Sequence, residues 1–247
     1  MQAAVTAFER GHSVTLVERE AALGGLLRFT ETDTIKNDLR RFTEYLVRKT
    51  KRSGVSVLLG TAITDELVEK LSPDHIIVAT GGAHIVPSIP GIENARYAAD
   101  VYIEPGFEPG KDIIIIGGGL VGVETGMHLT NLGRNVTVLE LMDDYARDAG
   151  FIIMRGLAAA IEKSGMNIIT GANTLEITDS GVIYEKDGNK ITASADTVLY
   201  AVGTRQSERM FFELYDKAPF VTIVGDAKSP GKVDGAIHSG YFAAMDV

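Results

Sequence analysis

The stretch "DIIIIGGGLVGVETGMHLTNLGRNVTVLE", residues 112–140, reads as a strand, a glycine turn, a helix, a second strand and an acid. Residues 113–116 are four isoleucines, too short a run for a helix and apolar on both faces, as a strand buried in a parallel sheet should be. Gly117, Gly119 and Gly122 follow at G-x-G-x-x-G spacing. That spacing permits a tight turn, close backbone approach to a pyrophosphate, and close packing of the next helix on the sheet. The N-terminus of that helix offers N–H groups and a partial positive charge to phosphates. Residues 136–139 form the next strand, and Glu140 ends it about 20 residues beyond the glycines, where a carboxylate can accept hydrogen bonds from ribose hydroxyls. A 2′-phosphate would be repelled there, so NADH is expected over NADPH; Arg134, if folded across the ribose, would weaken that preference.

Two plainer readings stand beside this one. Three glycines at this spacing also occur where a strand simply turns into a helix, and an acid that ends a strand is commonly only solvated. The apolar strand before, the helix after and the acid at the right distance favour the dinucleotide site.

Composition excludes several classes. Twenty-four basic residues against 33 acidic ones give a net charge of −9 without a long basic run, which argues against a nucleic-acid or anionic-membrane surface. No apolar run approaches a membrane span and the N-terminus carries no signal pattern, so the cytoplasm is the expected compartment. With no cysteine, these residues carry no disulfide, thiolate metal site, cysteine-bound iron–sulfur cluster or C-x-x-C pair. Redox chemistry would therefore rest on bound cofactors. His12, His75, His84, His128 and His238 are scattered without metal-ligand spacing, and no metal site is expected. Arg40, Arg41, Lys51 and Arg52, interleaved with Leu39, Phe42, Tyr45 and Leu46, read as an amphipathic helix with a solvated basic face, or as a docking face.

A second, partial copy of the opening pattern lies at the N-terminus. "MQAAVTAFERGHSVTLVERE" matches "VGVETGMHLTNLGRNVTVLELM" through a small-residue helix, a Gly-polar turn at Gly11 and Gly133, an alternating strand, and a terminal acid, Glu18 and Glu140. Two nucleotide units in one chain suggest two dinucleotides with electron transfer between them, although duplicated βαβ units also build folds without function. Seams are expected at "ATGGAHIVPSIPG", after a strand at 76–79, and near Ala201, Val202 and Gly203. After the second seam, "FVTIVGDA" gives a strand and a Gly225-Asp226 turn, and a helix starts near Asp234. The resulting organisation is nested: residues 1–83 and 208–247 form one discontinuous domain, and residues 84–207 form another inserted within it. Each is expected to be a parallel sheet flanked by helices.

The motifs "LGGLLR", "VATGG", "PSIPG", "IIIIGGGLVGVE", "AVGTR" and "TIVGDA…GAIHSGYFAA", in this order, resemble the two-dinucleotide-binding flavoprotein superfamily of pyridine-nucleotide oxidoreductases. Residues 24–64 are similar more narrowly to the C-terminal part of NADH:flavin oxidoreductases of the 2-enoate reductase, 2,4-dienoyl-CoA reductase and trimethylamine dehydrogenase group. This resemblance implies an α/β fold of two nested Rossmann-like dinucleotide-binding domains with parallel sheets. Residues 1–83 and 208–247 would bind FAD and residues 84–207 would bind NAD(H). Glu18 would hold the adenosine ribose of FAD, Gly24 and Gly25 would approach its flavin side, Thr80 and Gly81 would line it, and the Gly225-Asp226 turn would bind its ribityl or pyrophosphate portion. Gly117, Gly119, Gly122 and Glu140 would hold NADH, Gly203 at the return crossing would also be cofactor-binding, and Glu124 matches a glutamate that lies near the nicotinamide in disulfide reductases. Glu124 also reads as an ordinary helix residue. Hydride transfer from nicotinamide to flavin needs stacking more than an acid or base, so no catalytic side chain is named.

The group also places an FMN-bearing TIM barrel and a cysteine-bound iron–sulfur cluster ahead of this region, and both would belong to another part of the protein. The first domain lacks the first strand and glycine loop that the group supplies, and Met1 reads as an internal position of a longer chain. Poor retention of FAD by this chain alone is therefore expected. An NADH-oxidising electron-entry segment and a non-catalytic remnant holding ADP or nothing both fit, and a homo-oligomer is compatible with either.

Overall fold

The computed structural model describes residues 1–247 except Thr34, Pro105 and Asp148 and the side chains of residues 151–153. The chain divides into two compact units. Unit 1 comprises Met1–Glu31, Lys36–Ala83 and Thr204–Val247, and unit 2 comprises Thr32–Ile35 and His84–Gly203. Short strands β4 (Ala83–His84) and β13 (Thr204–Arg205) mark the two crossings.

In unit 2, five parallel strands run in the order β5 (Ala95–Tyr97), β12 (Thr197–Tyr200), β6 (Asp112–Ile116), β7 (Asn135–Leu139), β8 (Asn167–Ile169). β6 is paired on both edges, Ile116 lying opposite Leu139 on one side and Tyr200 on the other. Because successive strand side chains point to opposite faces, its four isoleucines divide between two cores. Ile113 and Ile115 pack with Val123 and Met127 of helix α5 (Leu120–Asn131) and with Leu157 and Ile161 of α6 (Phe151–Ser164). Ile114 and Ile116 pack with Ile177, Val182 and Tyr184. Those last three belong to an antiparallel sheet of β9 (Asn173–Thr178), β10 (Gly181–Lys186) and β11 (Asn189–Ser194). The parallel sheet thus carries helices on one face and this antiparallel sheet on the other. The β10–β11 loop is the two-residue Asp187-Gly188, with φ of +52° and +73°, the hairpin turn that matches strand twist.

Unit 1 repeats the first half of this plan. Helix α1 (Gln2–Glu9) leads through Gly11 (φ +99°) into β1 (Thr15–Val17), as α5 leads through Gly133 (φ +80°) into β7. The turns match bond for bond: the Gly11 amide donates to the Phe8 carbonyl and the Gly133 amide to the Thr130 carbonyl, both at 2.9 Å. β1 pairs in parallel with β2 (Ser56–Leu58), and β3 (His75–Val78) with β14 (Phe220–Ile223), as two separate two-stranded sheets. Among the described residues no strand joins the pairs, whereas β6 joins the corresponding strands of unit 2.

Each of the other helices of unit 1 has a buried face. Helix α2 (Asn37–Arg52) buries Thr43, Leu46 and Thr50, spaced for one face, and turns Arg41, Glu44 and Arg48 outward. α3 (Asp65–Leu71), capped by the Thr64 hydroxyl, and α7 (Arg209–Leu214) close a small core on β3 and β14 around Val68, Val78 and Leu214. α8 (Val233–Met245) meets α1 where a Cβ on Gly240 would come within 3.5 Å of the Ala3 amide nitrogen, in ordinary contact. No helix among the described residues is long and apolar enough to cross a membrane.

Pairing on two edges against one has a measurable consequence. In native-state hydrogen exchange, β6 amides should exchange by near-global opening, while β1 and β3 amides should exchange at least about tenfold faster through local opening. Equal protection of β1 and β6 would contradict the observed sheet arrangement.

Candidate functional site

In unit 2 the strand order reverses about β6, with β7 and β8 on one side and β12 and β5 on the other. Ligands of such sheets bind beyond the carboxyl ends of the strands at that switch point. The glycine turn and the acid both stand there. Gly117 has φ +105°, and a Cβ on it would come within 2.5 Å of the Ala201 carbonyl oxygen. Gly119 is the N-cap of α5 and makes no side-chain cap hydrogen bond. A Cβ on Gly122 would overlap the Gly117 carbonyl oxygen, so the helix can lie this close to the turn only without one.

Glu140 holds the turn in place. The Gly118 amide donates to its Oε2 at 2.6 Å, and the Met142 amide donates to its Oε1 at 2.8 Å. Its backbone is fixed by β8, through donation to the Ile169 carbonyl at 2.8 Å and acceptance from Ala172 at 2.8 Å. A carboxylate has about four acceptor directions, so two amides leave capacity for two ribose hydroxyls. The turn, an uncapped helix N-terminus and a half-satisfied carboxylate are the donor and acceptor set that a dinucleotide needs, and the glycine surfaces leave room for backbone approach.

Unit 1 reproduces the acid's setting. Glu20 donates its amide to Glu18 Oε1 at 2.9 Å, Glu18 donates its own to Leu58 at 2.8 Å and accepts from Thr61 at 3.0 Å. Even the outer bond repeats, Gly60 to the Glu20 carbonyl at 2.9 Å and Gly171 to that of Met142 at 2.9 Å. Elsewhere in unit 1, the parallel strands β3 and β14 deliver Thr80 with Gly81 and Gly225 with Asp226 to adjacent ends. Asp226 Oδ1 accepts from the Gly231 amide at 3.1 Å and Gly225 donates to Ser239 Oγ at 3.0 Å, so this turn is closed on itself. Gly24 (φ +127°) and Gly25 (φ +55°) open a 3₁₀ turn, with the Arg28 stem packed over Gly24. Of these residues, Glu18 keeps a carboxylate oxygen beyond the Glu20 bond, while the Gly225-Asp226 turn is engaged within unit 1.

The remaining named residues lie in unit 2. Gly203 (φ +110°) accepts from the Ile85 amide at 2.9 Å after β12. Glu124 is half-buried on α5, and its charge reaches Tyr102, whose phenol burial pushes well above its ordinary range. Three contributors are absent from the sequence expectation. The Gly118 amide is one, and the central glycine of a G-G-G run could have pointed to it. Ala201 is another: it is the buried first residue of "AVGTR", expected only as part of a seam. Ala146 is the third: it donates to the Gly118 carbonyl at 2.7 Å from a left-handed conformation (φ +47°), which no local residue pattern announces.

Gly122→Ala should weaken dinucleotide binding by about a hundredfold or more, the loop having to open around the methyl group, or about 2.7 kcal/mol. Gly156→Ala, at an exposed α6 position with open space around the new Cβ, should leave binding unchanged. Calorimetric titration of both variants checks the pair; wild-type affinity in Gly122→Ala would contradict the close-approach argument.

Comparison with known proteins accords with this geometry. A family model described as pyridine nucleotide-disulphide oxidoreductase matches residues 1–219. The NADH oxidase of Thermoanaerobacter brockii is 34% identical over all of this chain and 39% of its own length. The bilirubin reductase of Mediterraneibacter gnavus is 32% identical over 99% of the chain and 38% of its own length. A solved 2-naphthoyl-CoA reductase in complex with 2-naphthoyl-CoA superposes over the whole chain and 38% of its own with a TM-score of 0.95 at 27% identity. The chain thus spans about two fifths of the length of these relatives. It belongs to the pyridine nucleotide-disulphide oxidoreductase family, a family of oxidoreductases.

Proposed function

We propose that this chain is the FAD- and NADH-binding segment of a flavin-dependent reductase. Unit 2, residues 84–207 in the sequence division, takes NADH; unit 1, residues 1–83 and 208–247, carries the FAD-side residues. The observation that carries this is the Glu140 carboxylate, fixed by the Gly118 and Met142 amides at the end of β7 beside an uncapped α5 N-terminus. When bound, the two cofactors supply hydride transfer between nicotinamide and flavin. The chain's own residues bind and orient: Gly117, Gly119 and Gly122 admit the pyrophosphate to the helix N-terminus, and Glu140 accepts the ribose hydroxyls. Glu18, Gly24, Gly25, Thr80, Gly81, Gly225 and Asp226 serve the flavin dinucleotide in the same manner, and Glu124 lies one turn into the nicotinamide-side helix.

Onward transfer to an FMN and iron–sulfur part fits the greater length of the relatives, whose names include a bilirubin reductase and a 2-naphthoyl-CoA reductase. With no cysteine in these residues, the disulfide chemistry in the family's name is not carried here. The electrons would leave by another route, to an unsaturated substrate bound elsewhere in the protein.

NADH should bind at least about a hundredfold more tightly than NADPH, since a 2′-phosphate beside a partly desolvated carboxylate costs several kcal/mol. Titration of the two nucleotides checks this, and equal affinities would overturn the role of Glu140. In excess FAD, anaerobic NADH should bleach the flavin absorption. Retained NADH binding without bleaching would favour the non-catalytic reading.

A further inference from the structure

Among the described residues, Asp33 is the only carboxylate and His128 the only imidazole buried to within 3% of full enclosure, and both belong to one cluster. Residues 32–35 fall in unit 2 although the residues on either side fall in unit 1. Asp33 Oδ1 accepts the Ile35 amide at 2.7 Å. The Tyr102 hydroxyl, from helix α4 (Asp100–Ile103), meets the hydrogen-bonding side chains of both Asp33 and Thr125. Its ring lies 4.8 Å from that of His128, one turn beyond Thr125 on α5. The face of the proposed nucleotide-binding helix that carries Thr125 and His128 therefore ends in a buried polar cluster rather than in aliphatic packing. His128 Nδ1 lies inside it without a hydrogen-bond partner.

We propose that Asp33, Tyr102 and His128 form an acid-opened latch that holds the stretch around Asp33 against helix α5. In the closed latch, His128 is favoured as the neutral imidazole. Burial lowers its proton affinity, and Asp33 works against burial without cancelling it. The titratable groups that face the cluster are Asp33 from its own stretch, Tyr102 from α4 and Glu124 from α5. None of them supplies an acceptor to Nδ1. A second proton would put a charge and an unsatisfied N–H into a site closed to water, and both are relieved only by opening.

The sign follows from proton linkage. The open form takes up a proton near the ordinary histidine value of 6.5 and the closed form only at lower pH, so opening is favoured as pH falls between the two values. The slope is up to about tenfold per pH unit.

Hydrogen exchange of the Ile35 amide and of the α5 amides, corrected for intrinsic rate, reads this opening. In the wild-type chain it should accelerate by up to about tenfold per pH unit below about 6.5. His128→Phe should abolish the acid response. Asp33→Asn keeps an acceptor for Ile35 but removes the charge that supports a protonated imidazole, so the acceleration should continue to lower pH. A purely structural Asp33 would instead raise exchange equally at every pH. If His128→Phe does not fold, the ¹⁵N-histidine titration of the wild-type chain decides: a His128 midpoint below 6.5 supports the latch, and one at or above it overturns the proposal. An acid response retained in His128→Phe overturns it as well. The consequence that NADH binding weakens along the same pH profile rests on the proposed function. Absence of NADH binding at every pH would sink that function while the exchange data still judge the latch, and NADH affinity that stays flat while the latch opens would overturn the coupling.

Discussion

The constraint on which unit 2 depends is the close approach of three backbones at the carboxyl end of β6: the turn after β6, the start of α5, and the stretch after β12. A side chain on Gly117 would meet the Ala201 carbonyl, and one on Gly122 would overlap the Gly117 carbonyl. Once these backbones are in contact, the Gly118 amide has little choice of partner, and the carboxylate of Glu140 takes it at 2.6 Å. That bond ties the end of β7 to the turn after β6. The same residue thereby orders the loop and offers its remaining lone pairs outward. Charge-assisted bonds of this kind are roughly twice as strong as neutral ones, which suits a loop with no side chains of its own to pack.

The two units show what that constraint contributes. Glu18 has the same backbone ties to its neighbouring strand and the same bond from the residue two positions on, so the acid's placement needs only the strand pair. The bond from a glycine loop to the second carboxylate oxygen is found in unit 2, where β6 stands between β7 and β12. In unit 1 the corresponding strand pairs are separate sheets. A strand such as β6, buried on both faces and bonded on both edges, organises the halves of its sheet, and the glycine turn is a product of its C-terminal end.

Much of this was legible in the sequence because the signals are local. A run of isoleucines, glycines at fixed spacing and an acid at the end of the next strand specify β6, α5 and β7 almost by themselves, and the repeat of that grammar around Gly11 and Glu18 specifies β1. The antiparallel sheet over the second face of unit 2 was also local in origin, since Asp187-Gly188 between alternating runs is a strong hairpin signal. That signal competes with the usual covering of a parallel sheet by helices. Ala146 was not legible: an alanine in the left-handed region is imposed by tertiary contact, against its own preference. Nor was Asp33, an acid in an undistinguished polar stretch whose burial depends on Tyr102 and His128, residues distant in the chain. Local patterns fix elements and turns, while the closure of polar clusters is settled by packing between them.

The central claim is that the turn after β6 and the acid after β7 form one dinucleotide site. Amide chemical-shift mapping with ADP-ribose, which carries the pyrophosphate and adenosine ribose without the nicotinamide, tests it most directly. The account predicts saturable shifts concentrated at residues 117–123, at 140–142 and at Gly171, with Gly118 among the largest. Shifts that leave the Gly118 and Met142 amides unmoved while other regions respond would contradict it.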